Sequence, residues 1–446
     1  MMTLAEVATW TGGRARGQAR VLGIATDSRR LSPGDLFVAL RGPRFDGHRF
    51  IEQAREAGAA GALVVPGAET AGLPGVEVAD TGQALLDLAG AWRRGRPARV
   101  AAITGSCGKT TVKDLLAGIL REAAGEAALA TRGNLNNVVG VPQTLFRLGD
   151  GHRFAAIEVG INRPGEMDLL ATAVAPDVAV ITNAAPAHLE GLGSVEAVAE
   201  EKGRLLGGLG PEGVAVLNAD SPFAETWARA APGPVLRFGL DAPAEVRGEW
   251  EPRGAGGRLW IRTPEGETGA DLELPGRHSA ANALAAAAAA LALGVPVTAI
   301  GPGLEAAEKP AGRLRPRNVK GEITLLDDSY NANPASLEAA LAVLAEGTGR
   351  RWLILGAMGE LGPEGEGWHR WAGERAREAG VERLVTVGPL AGEALAGFGD
   401  PSGAVEDWEA AAGILEHEAE PGDRILVKGS RAARLERLVD RLAGES

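Results

Sequence analysis

Short apolar runs alternate with stretches of helical periodicity along most of this chain. Runs of this length, bounded by glycine, proline or polar residues, are typical of strands in a parallel sheet. The candidate strands are residues 100–104, 155–159, 178–182, 214–218, 323–327, 352–355, 384–387 and 425–427. Because these strands alternate with helical stretches, the pattern predicts an α/β fold.

Two parts of the central region depart from this pattern. Apolar and polar residues alternate over 233–275 between glycine and proline turns, which predicts an antiparallel insert or subsheet. Residues 283–300, the longest uncharged stretch, consist mainly of alanine and contain Gly294 and Pro296. A buried helix followed by a turn explains that composition better than a membrane span does.

Two boundaries divide the chain into three predicted domains. Basic residues and a proline at 93–97 indicate a linker, and Lys-Pro-Ala-Gly at 309–312 marks the second boundary. We therefore expect an N-terminal α/β domain over residues 1–95. A central domain over 96–312 would contain a P-loop-type parallel sheet and the antiparallel subsheet. A C-terminal Rossmann-like α/β domain would cover 313–446.

The segment Thr-Gly-Ser-Cys-Gly-Lys-Thr-Thr at 104–111 follows a candidate strand and precedes a helix that we expect to begin near Val112. Backbone N–H groups at such a helix start wrap a phosphate, the lysine reaches its outer oxygens, and a threonine holds Mg²⁺. The motif is shortened, since Ile103 stands where the first glycine is usual. It predicts a nucleoside triphosphate site, with ATP-binding residues Gly105, Ser106, Cys107, Gly108, Lys109, Thr110 and Thr111.

Composition narrows the possible partners and the compartment. The chain has 46 basic and 58 acidic residues and a net charge of −12, which argues against a broad nucleic-acid surface. Its single cysteine, Cys107, excludes an intrachain disulfide and a cysteine zinc cluster. The start lacks the basic and apolar regions of a signal peptide, so we expect a cytoplasmic protein without stable membrane insertion.

Three further residues carry alternative interpretations when each is considered alone. Glu158 ends a candidate strand near the phosphate loop, where it is either an Mg²⁺ ligand or an ordinary capping glutamate. His188 lies in a glycine-rich loop and is either functional or simply solvated. Lys202, in Glu-Glu-Lys-Gly at 200–203, reads as a surface lysine on a helix.

Eight segments together resemble the Mur ligase family over nearly the whole chain. They are residues 25–30 with 33–40, 44–48, 104–111, 133–137 with 140–142, 158–162, 187–193 with 201–203, 327–334, and 427–431. Gly-Asn-Leu-Asn-Asn at 133–137 and Asp-Asp-Ser-Tyr-Asn-Ala-Asn-Pro at 327–334 are the most specific. They resemble the branch of the family that adds D-alanyl-D-alanine to UDP-N-acetylmuramoyl-tripeptide.

The resemblance implies a three-domain amide ligase that uses ATP and Mg²⁺ and works through an acyl phosphate. The UDP sugar would bind the first domain, ATP the second and D-Ala-D-Ala the third, in an enzyme that we expect to be a monomer. The implied catalytic residues are Lys109, Glu158, His188 and Lys202. The implied metal ligands are Thr110, Glu158, His188 and Lys202, the last of which is carbamylated in relatives.

The resemblance also implies substrate contacts outside the phosphate loop. Further ATP contacts would come from His278, Asn282, Arg313, Asp328 and Asn331. Contacts with the other substrates would come from Ser28, Arg29, Asp46, Asn136, Asn137, Lys428, Ser430 and Arg431. A plain turn remains an alternative for residues 27–29, as does helix capping for 428–431. The chain departs from the family at Ser279, where asparagine is usual, and at Ala357, where aspartate is usual.

Three other functions remain possible at this point. A sister Mur ligase would add the third amino acid of the peptide, and a folylpolyglutamate synthase-like ligase would add glutamate to folate. The segment at 327–334 disfavours both, and the folate enzymes would not be expected to carry the Asp-Ser-Arg domain. A nucleotide-gated regulatory protein would use the same fold without ligation, and phosphate release dependent on both substrates would exclude it.

Overall fold

The computed structural model describes residues 1–42, 45–319 and 322–444, and three sheets organise these residues into three domains. In the first domain the strands are β1 (Met2–Thr3), β2 (Arg14–Arg16), β3 (Arg20–Val21), β4 (Gly23–Ala25), β5 (Asp35–Val38), β6 (Arg41–Gly42), β7 (Phe45–Asp46), β8 (Gly61–Val64) and β9 (Gly75–Glu77). The helices are α1 (Leu4–Thr11), α2 (Ile51–Glu56) and α3 (Thr81–Arg94), with 3-10 turns at Ser28–Arg30 and Gly47–Phe50. The main sheet has the order β2-β9-β8-β5-β4 and is parallel except for the pair β2–β9.

The central domain contains a nine-stranded sheet in the order β11-β12-β10-β13-β14-β15-β16-β17-β18. Its strands are β10 (Arg99–Thr104), β11 (Ala128–Ala130), β12 (Phe154–Glu158), β13 (Val178–Ile181), β14 (Val214–Asn218), β15 (Val235–Gly239), β16 (Val246–Arg253), β17 (Gly256–Thr263) and β18 (Gly266–Leu272). Its helices are α4 (Lys109–Ala124), α5 (Gly140–Leu145), α6 (Glu166–Val174), α7 (Leu189–Leu192), α8 (Val195–Gly203), α9 (Ala224–Ala230), α10 (Arg277–Ala292) and α11 (Ile300–Glu305). Short 3-10 helices span Gly125–Ala127, Arg204–Gly208 and Val297–Ala299.

The predicted antiparallel subsheet is part of this sheet and is smaller than the sequence indicated. Strands β15 and β16 continue the parallel order, and only the pairs β16–β17 and β17–β18 are antiparallel. Apolar alternation reports that one face of a strand is buried, but it does not report the direction of the neighbouring strand. The predicted subsheet is thus present in β16–β18, and of the strands within 233–275 only β15 has no antiparallel partner.

The alanine-rich stretch forms the buried helix that its composition predicts. Every residue of α10 from Ala283 to Ala290 is fully buried, and the chain turns at Gly294, whose φ is +78°. Small side chains let α10 and α4 pack closely on one face of the sheet. No helix among the described residues has the length and hydrophobicity that crossing a membrane requires.

The third domain contains a six-stranded sheet in the order β19-β20-β24-β21-β22-β23, parallel except for β19–β20. Its strands are β19 (Arg315–Val319), β20 (Ile323–Asp328), β21 (Arg351–Gly356), β22 (Arg383–Val387), β23 (Ala404–Val405) and β24 (Arg424–Lys428). Its helices are α12 (Pro334–Ala345), α13 (Gly365–Glu378), α14 (Pro389–Phe398), α15 (Trp408–Glu418) and α16 (Glu436–Ala443). Short 3-10 helices span Gly362–Glu364, Pro401–Gly403 and Arg431–Ala433. The mixed α/β architecture agrees with the predicted fold class, while the boundaries at 95/96 and 312/313 stay predictions.

Candidate active site

The phosphate loop joins β10 to α4, and its glycines are required by the backbone. Gly105 and Gly108 have φ of +153° and +83°, values that L residues with side chains rarely adopt. A Cβ at Gly108 would also overlap the Asn282 side chain. The helix begins at Lys109 rather than near Val112, so Lys-Thr-Thr forms its first turn.

Residues at the end of β13 hold this loop. The Ser106 N–H donates to the Asn183 carbonyl at 3.1 Å, and the Cys107 N–H donates to Asn183 Oδ1 at 2.9 Å. The Thr182 hydroxyl donates to the Cys107 carbonyl at 2.7 Å. Because each bond uses a different loop atom, the loop is fixed before any ligand binds.

Lys109 lies across the loop with its ammonium group against the loop backbone. Its Nζ donates to the Gly105 carbonyl at 2.7 Å and approaches the Ser106 carbonyl at 3.5 Å. Burial lowers the pKa of Lys109, and the negative charge of Glu158 opposes that effect. A buried cation beside oriented amides is suited to the negative charge of a triphosphate.

Glu158 ends β12 with one oxygen satisfied and one free. Its Oε1 accepts from the Thr110 hydroxyl at 3.2 Å and from Asn136 Nδ2 at 2.8 Å. Its Oε2 is buried and has no hydrogen-bond partner in the described chain. A buried, unpartnered carboxylate oxygen is costly, and together with the Thr110 hydroxyl it fits a hard cation such as Mg²⁺.

The described residues contain no group of three or more His, Cys, Asp or Glu side chains able to hold a metal by themselves. A cation beside Glu158 would therefore share its coordination with the Thr110 hydroxyl and with the phosphate oxygens of a bound nucleotide. That donor set is typical of Mg²⁺ in nucleotide sites.

Lys202 is not the surface lysine that its sequence context indicates. Its side chain on α8 is 1% exposed, and no hydrogen-bond partner for its Nζ occurs among the described residues. Burial, reinforced by the positive charge of Lys109, lowers the pKa of Lys202 from 10.5 to about 7. About half of the Lys202 amine is therefore unprotonated at pH 7.

The neighbouring Glu201, which the sequence analysis did not single out, fixes the position of α8. Its Oε1 accepts the N–H groups of Gly165 and Met167 at 2.7 and 3.2 Å, and thereby caps the N-terminus of α6. The Glu201 side chain is buried. It belongs to the framework that presents Lys202 and has no free oxygen for a ligand, since Oε2 pairs with Arg204 at 3.2 Å.

His188 connects the central domain to the third domain. Its Nδ1 is hydrogen-bonded to Glu360 Oε2, and the Glu190 N–H donates to the Glu360 carbonyl at 3.1 Å. His188 and Glu360 both have left-handed backbones, with φ of +57° and +62°. The hydrogen bond to His188 lowers the pKa of Glu360, so this carboxyl group is ionised at neutral pH.

Glu360 was absent from the sequence-based candidates. The only signal was an acidic residue in the glycine-rich segment 355–362 that follows a strand, and such segments are common. Its partner His188 is 172 positions away in sequence, so their contact could not be inferred from local pattern.

A cavity of about 370 Å³ adjoins the phosphate loop, and we call it the nucleotide pocket. All the predicted ATP contacts outside the loop line it, namely His278, Asn282, Arg313, Asp328 and Asn331. Burial lowers the pKa of His278 to about 4, so its imidazole is neutral and able both to donate and to accept a hydrogen bond. The Ser279 hydroxyl donates to the Pro275 carbonyl at 2.7 Å, so it is already committed to the local backbone.

Lys428 lies apart from the other two predicted dipeptide contacts. It is 1% exposed, and its Nζ bonds Asp328 Oδ2 and, at 3.1 Å, the Asn331 carbonyl. Asp328 Oδ1 also accepts the Leu314 N–H at 3.2 Å. The pair therefore fixes the segment that enters the third domain, and it faces the nucleotide pocket.

Ser430 and Arg431 lie on the wall of a second, larger cavity. This cleft measures about 1340 Å³ and extends from the phosphate loop to the third domain. Ser430 precedes a 3-10 helix, but its side chain makes no capping hydrogen bond, so capping does not occupy its hydroxyl. Predicted site residues that line the cleft are Ser106, Lys109, Thr110, Asn136, Asn137, Glu158, His188, Arg313, Asn331, Ser430 and Arg431.

Tyr330, the single tyrosine of the chain, has two arginines near its ring in this cleft. The guanidinium carbon of Arg313 is 4.3 Å from the centre of the Tyr330 ring, and that of Arg431 is 5.8 Å away. Arg313 also lines the nucleotide pocket. Arg313 therefore lines both cavities, and it packs against the Tyr330 ring in the larger one.

The predicted contacts in the first domain do not line the cleft. The Ser28 hydroxyl donates to Gln53 Oε1 at 2.9 Å, Arg29 pairs with Asp27 at 2.8 Å, and Asp46 Oδ1 lies 2.6 Å from His48 Nδ1. The Asp27 side chain accepts the Arg29 N–H and begins a 3-10 turn, so the turn interpretation of 27–29 describes its local structure. Arg44, in the resembling segment 44–48, lies outside the described residues.

Asn137 differs from its neighbour Asn136 in the use of its side chain. Asn137 Oδ1 accepts the N–H groups of Val139 and Gly140 at 3.1 and 2.9 Å. Its carbonyl oxygen is therefore committed to the start of α5, while its amide nitrogen remains available to a ligand.

Comparison with known proteins agrees with this fold. The family models for "Mur ligase family, catalytic domain", "Mur ligase middle domain" and "Mur ligase, glutamate ligase domain" match residues 20–93, 103–290 and 312–431 respectively. The chain belongs to the Mur ligase family.

Several relatives that align with most of the chain share one specific name. The UDP-N-acetylmuramoyl-tripeptide–D-alanyl-D-alanine ligase of Escherichia coli (strain K12) is 41% identical over 98% of this chain and 97% of its own. A crystal structure of MurF from Acinetobacter baumannii superposes with a TM-score of 0.90, at 34% identity over 99% and 98% of the two chains. The MurF ligase of Thermotoga maritima in complex with ADP superposes with a TM-score of 0.84, at 26% identity over 96% and 98%.

Proposed function

We propose that this chain is an ATP-dependent ligase that joins D-alanyl-D-alanine to UDP-N-acetylmuramoyl-tripeptide in peptidoglycan precursor synthesis. The observation that carries the proposal is the single cleft that extends from the phosphate loop to Ser430 and Arg431. Such a ligase must bring an activated carboxyl group and an incoming amine into one space. The names of the full-length relatives support the choice of these two substrates.

The chemistry proceeds in two steps. An oxygen of the tripeptide's carboxylate attacks the γ-phosphorus of ATP, the bond to the bridging oxygen breaks, and ADP leaves. The dipeptide amine then attacks the acyl carbon of the acyl phosphate. The bond between that carbon and the phosphate oxygen breaks, which yields the amide, inorganic phosphate and a proton.

Phosphoryl transfer depends on positioning and on charge neutralisation more than on a strong nucleophile. Lys109 would leave the loop carbonyls that it now contacts and bind the β- and γ-phosphate oxygens. Thr110 and Glu158 would hold Mg²⁺, which supplies charge neutralisation at the phosphates when it is bound. The buried, unpartnered Glu158 Oε2 supports this assignment. His188 would contribute to a second metal position.

Lys202 would act as a carbamate. Its lowered pKa leaves about half of the amine neutral at pH 7, whereas an ordinary lysine would be almost wholly protonated. The free amine adds to the carbon of CO₂ and loses a proton, which turns a buried cation into an anion with oxygen ligands. An uncarbamylated Lys202 would be a cation close to Lys109 and would oppose metal binding.

Lys202→Ala tests the carbamate. The variant should lose most turnover yet bind ATP, and acetate should restore part of the rate by filling the vacated space. Lys202→Arg should not be rescued, because a guanidinium blocks that space. Near-normal turnover of Lys202→Ala in CO₂-depleted buffer would contradict the assignment.

The remaining assignments follow the two cavities. ATP would place its adenine against His278 and Asn282, with Arg313, Asp328 and Asn331 reaching the nucleotide from the side of the third domain. Asn136 and Asn137 would face the muramoyl-peptide, and Ser430 and Arg431 would bind the dipeptide carboxylate. The UDP group would bind the first domain through Ser28, Arg29 and Asp46. Lys428 would support the nucleotide side through Asp328.

These substrates suit a cytoplasmic enzyme, because ATP and UDP-linked sugars are cytoplasmic metabolites. The expectation of a monomer and the three domain boundaries remain predictions.

One experiment tests the proposed function directly. Purified protein is mixed with ATP, Mg²⁺, UDP-N-acetylmuramoyl-tripeptide and a series of amines, and the product mass and ADP are measured. We expect D-Ala-D-Ala to be joined with one ADP per amide, and single amino acids to react far less. A product carrying one glutamate or one diamino acid would favour a sister ligase instead. Phosphate release independent of either substrate would favour a regulatory nucleotide-binding protein.

A further inference from the structure

The incoming dipeptide carries two opposite charges, and the residues assigned so far meet only one of them. This inference rests on the proposed function. A free dipeptide has a carboxylate and, near neutral pH, an α-ammonium group. Ser430 and Arg431 suit the carboxylate, and the ammonium group needs an anion. We propose that Glu360 binds the ammonium group of the incoming dipeptide and so positions its nitrogen near the acyl phosphate, which the nitrogen attacks as the free amine once one proton has passed to solvent.

Six acidic residues line the large cleft: Asp114, Glu126, Glu158, Glu166, Glu308 and Glu360. Two of them already have cationic partners, since Asp114 pairs with Lys113 and Glu308 with Arg121. Both also precede residue 313, so neither belongs to the third domain that carries Ser430 and Arg431.

Three more fail for other reasons. Glu158 belongs to the proposed metal position. Glu166 begins α6 in the central domain, where its Oε2 accepts the N–H groups of Asn162 and Arg163 at 2.8 and 3.2 Å. Glu126 lies beyond the far end of α4, which at 1.5 Å per residue is roughly 24 Å from Lys109. Glu360 remains, and it alone of the six belongs to the third domain, which also carries Ser430 and Arg431.

The loop that carries Glu360 is fixed to the Ser430 turn. The Ser430 N–H donates to the Ala357 carbonyl at 3.0 Å. The buried imidazole of His369 holds the same loop, because its Nε2 accepts the Met358 N–H at 2.9 Å. Glu360 and the Ser430 turn therefore belong to two segments that are hydrogen-bonded to each other.

One carboxylate oxygen of Glu360 is free to accept a hydrogen bond from a ligand. Its side chain is 53% exposed, its Oε2 contacts His188, and its Oε1 has no hydrogen-bond partner among the described residues. A carboxylate accepts several hydrogen bonds, so the contact with His188 does not exclude an ammonium group. Glu360 and Lys109 line the same cleft, so an ammonium group at Glu360 would lie in the cleft that also reaches the phosphate loop.

The left-handed backbone of Glu360 supports a functional reading of the position. A φ of +62° is unusual for a residue with a side chain, and such strained positions cluster at ligand sites.

Glu360→Gln tests the proposal, because glutamine retains the size and a carbonyl oxygen for His188 but loses the charge. The KM for D-Ala-D-Ala should rise by about 10-fold to 100-fold, as expected for the loss of a charge-assisted contact. The KM values for ATP and for the UDP-tripeptide should change by less than about twofold. Glu190→Gln is the matched control: it removes a charge beside His188 on a side chain that does not line the cleft, and it should behave as wild type.

Two further measurements separate binding of the dipeptide from an effect through His188. Hydroxylamine traps the acyl phosphate as a hydroxamate without any dipeptide, and Glu360→Gln should form it at the wild-type rate. D-lactoyl-D-alanine has a hydroxyl in place of the amine. It should bind wild type more weakly than D-Ala-D-Ala does. That difference should largely disappear in Glu360→Gln.

Two results would overturn the proposal: an unchanged KM for the dipeptide, or a hydroxamate rate that falls as much as ligation does. If wild type fails to use D-Ala-D-Ala at all, the proposed function itself is wrong. If wild type uses it and Glu360→Gln binds it equally well, only the role of Glu360 is wrong.

Discussion

Replacing Lys202 with methionine should make the protein more stable and inactive. Methionine has a similar length and fills the same buried space without an amine. The wild-type side chain is 1% exposed and has no hydrogen-bond partner for Nζ among the described residues. The substitution therefore removes an unfavourable group and breaks no favourable bond.

The magnitude follows from the difference between the folded and unfolded pKa. The folded value of about 7 lies below the ordinary 10.5, so the unfolded chain binds the proton more tightly. At pH 7 this difference corresponds to an upper limit of about 4 kcal/mol of destabilisation. The penalty is complete below pH 7 and disappears as the pH rises toward 10.5, where neither state holds the proton.

Denaturant or thermal unfolding in CO₂-depleted buffer measures the effect. We expect Lys202→Met to be more stable than wild type by about 2–4 kcal/mol at pH 7, and by far less at pH 10. Added bicarbonate should stabilise wild type alone, because only wild type forms the carbamate.

Lys113→Met is the matched control for this prediction. Lys113 is also buried, but it pairs with Asp114, so its removal should destabilise the protein. If Lys202→Met is no more stable than wild type, or if the difference does not depend on pH, the amine is not the strained group described above.

Three further predictions concern the phosphate loop and the third domain. Gly108→Ala should weaken ATP binding by at least about tenfold in equilibrium titration, because the new methyl group overlaps Asn282 and the backbone is left-handed; unchanged affinity would refute this. Alkylation of Cys107 should abolish activity with Mg-ATP protecting, since the thiol lies in the loop; full modification with continued turnover would contradict its placement. Asp328→Asn should destabilise the protein by about 3–5 kcal/mol, because it leaves the buried Lys428 cation unpaired, and Asp328→Asn combined with Lys428→Met should recover much of that loss in the same unfolding assay.

The sequence predicts the elements of the central sheet well because the strands are buried on both faces. The predicted strand 214–218 coincides with β14, and the predicted 100–104 differs from β10 by one residue. Continuous apolar runs bounded by turns leave little doubt about where a strand lies. The phosphate loop is similarly local, since strand, glycines, lysine and helix follow one another directly.

Contacts between distant parts of the chain could not be predicted in the same way. Lys428 pairs with Asp328, 100 positions away, and Glu360 meets His188 across two domains. The burial of Lys202 could not be predicted from local sequence either. Its polar neighbours in sequence indicate exposure, whereas the fold buries it. Burial of a charged side chain is decided by what packs over it, and that is a property of the whole fold.

The isolation of Tyr330 gives this protein a reporter that needs no engineering. Because the chain contains one tyrosine, growth on fluorotyrosine would introduce a single ¹⁹F nucleus, and its spectrum would consist of one assigned resonance. The guanidinium groups of Arg313 and Arg431 both lie near this ring. The chemical shift should therefore move when a nucleotide engages the first arginine and move again when a carboxylate engages the second, so the order of substrate arrival could be followed at one atom in the unmodified sequence.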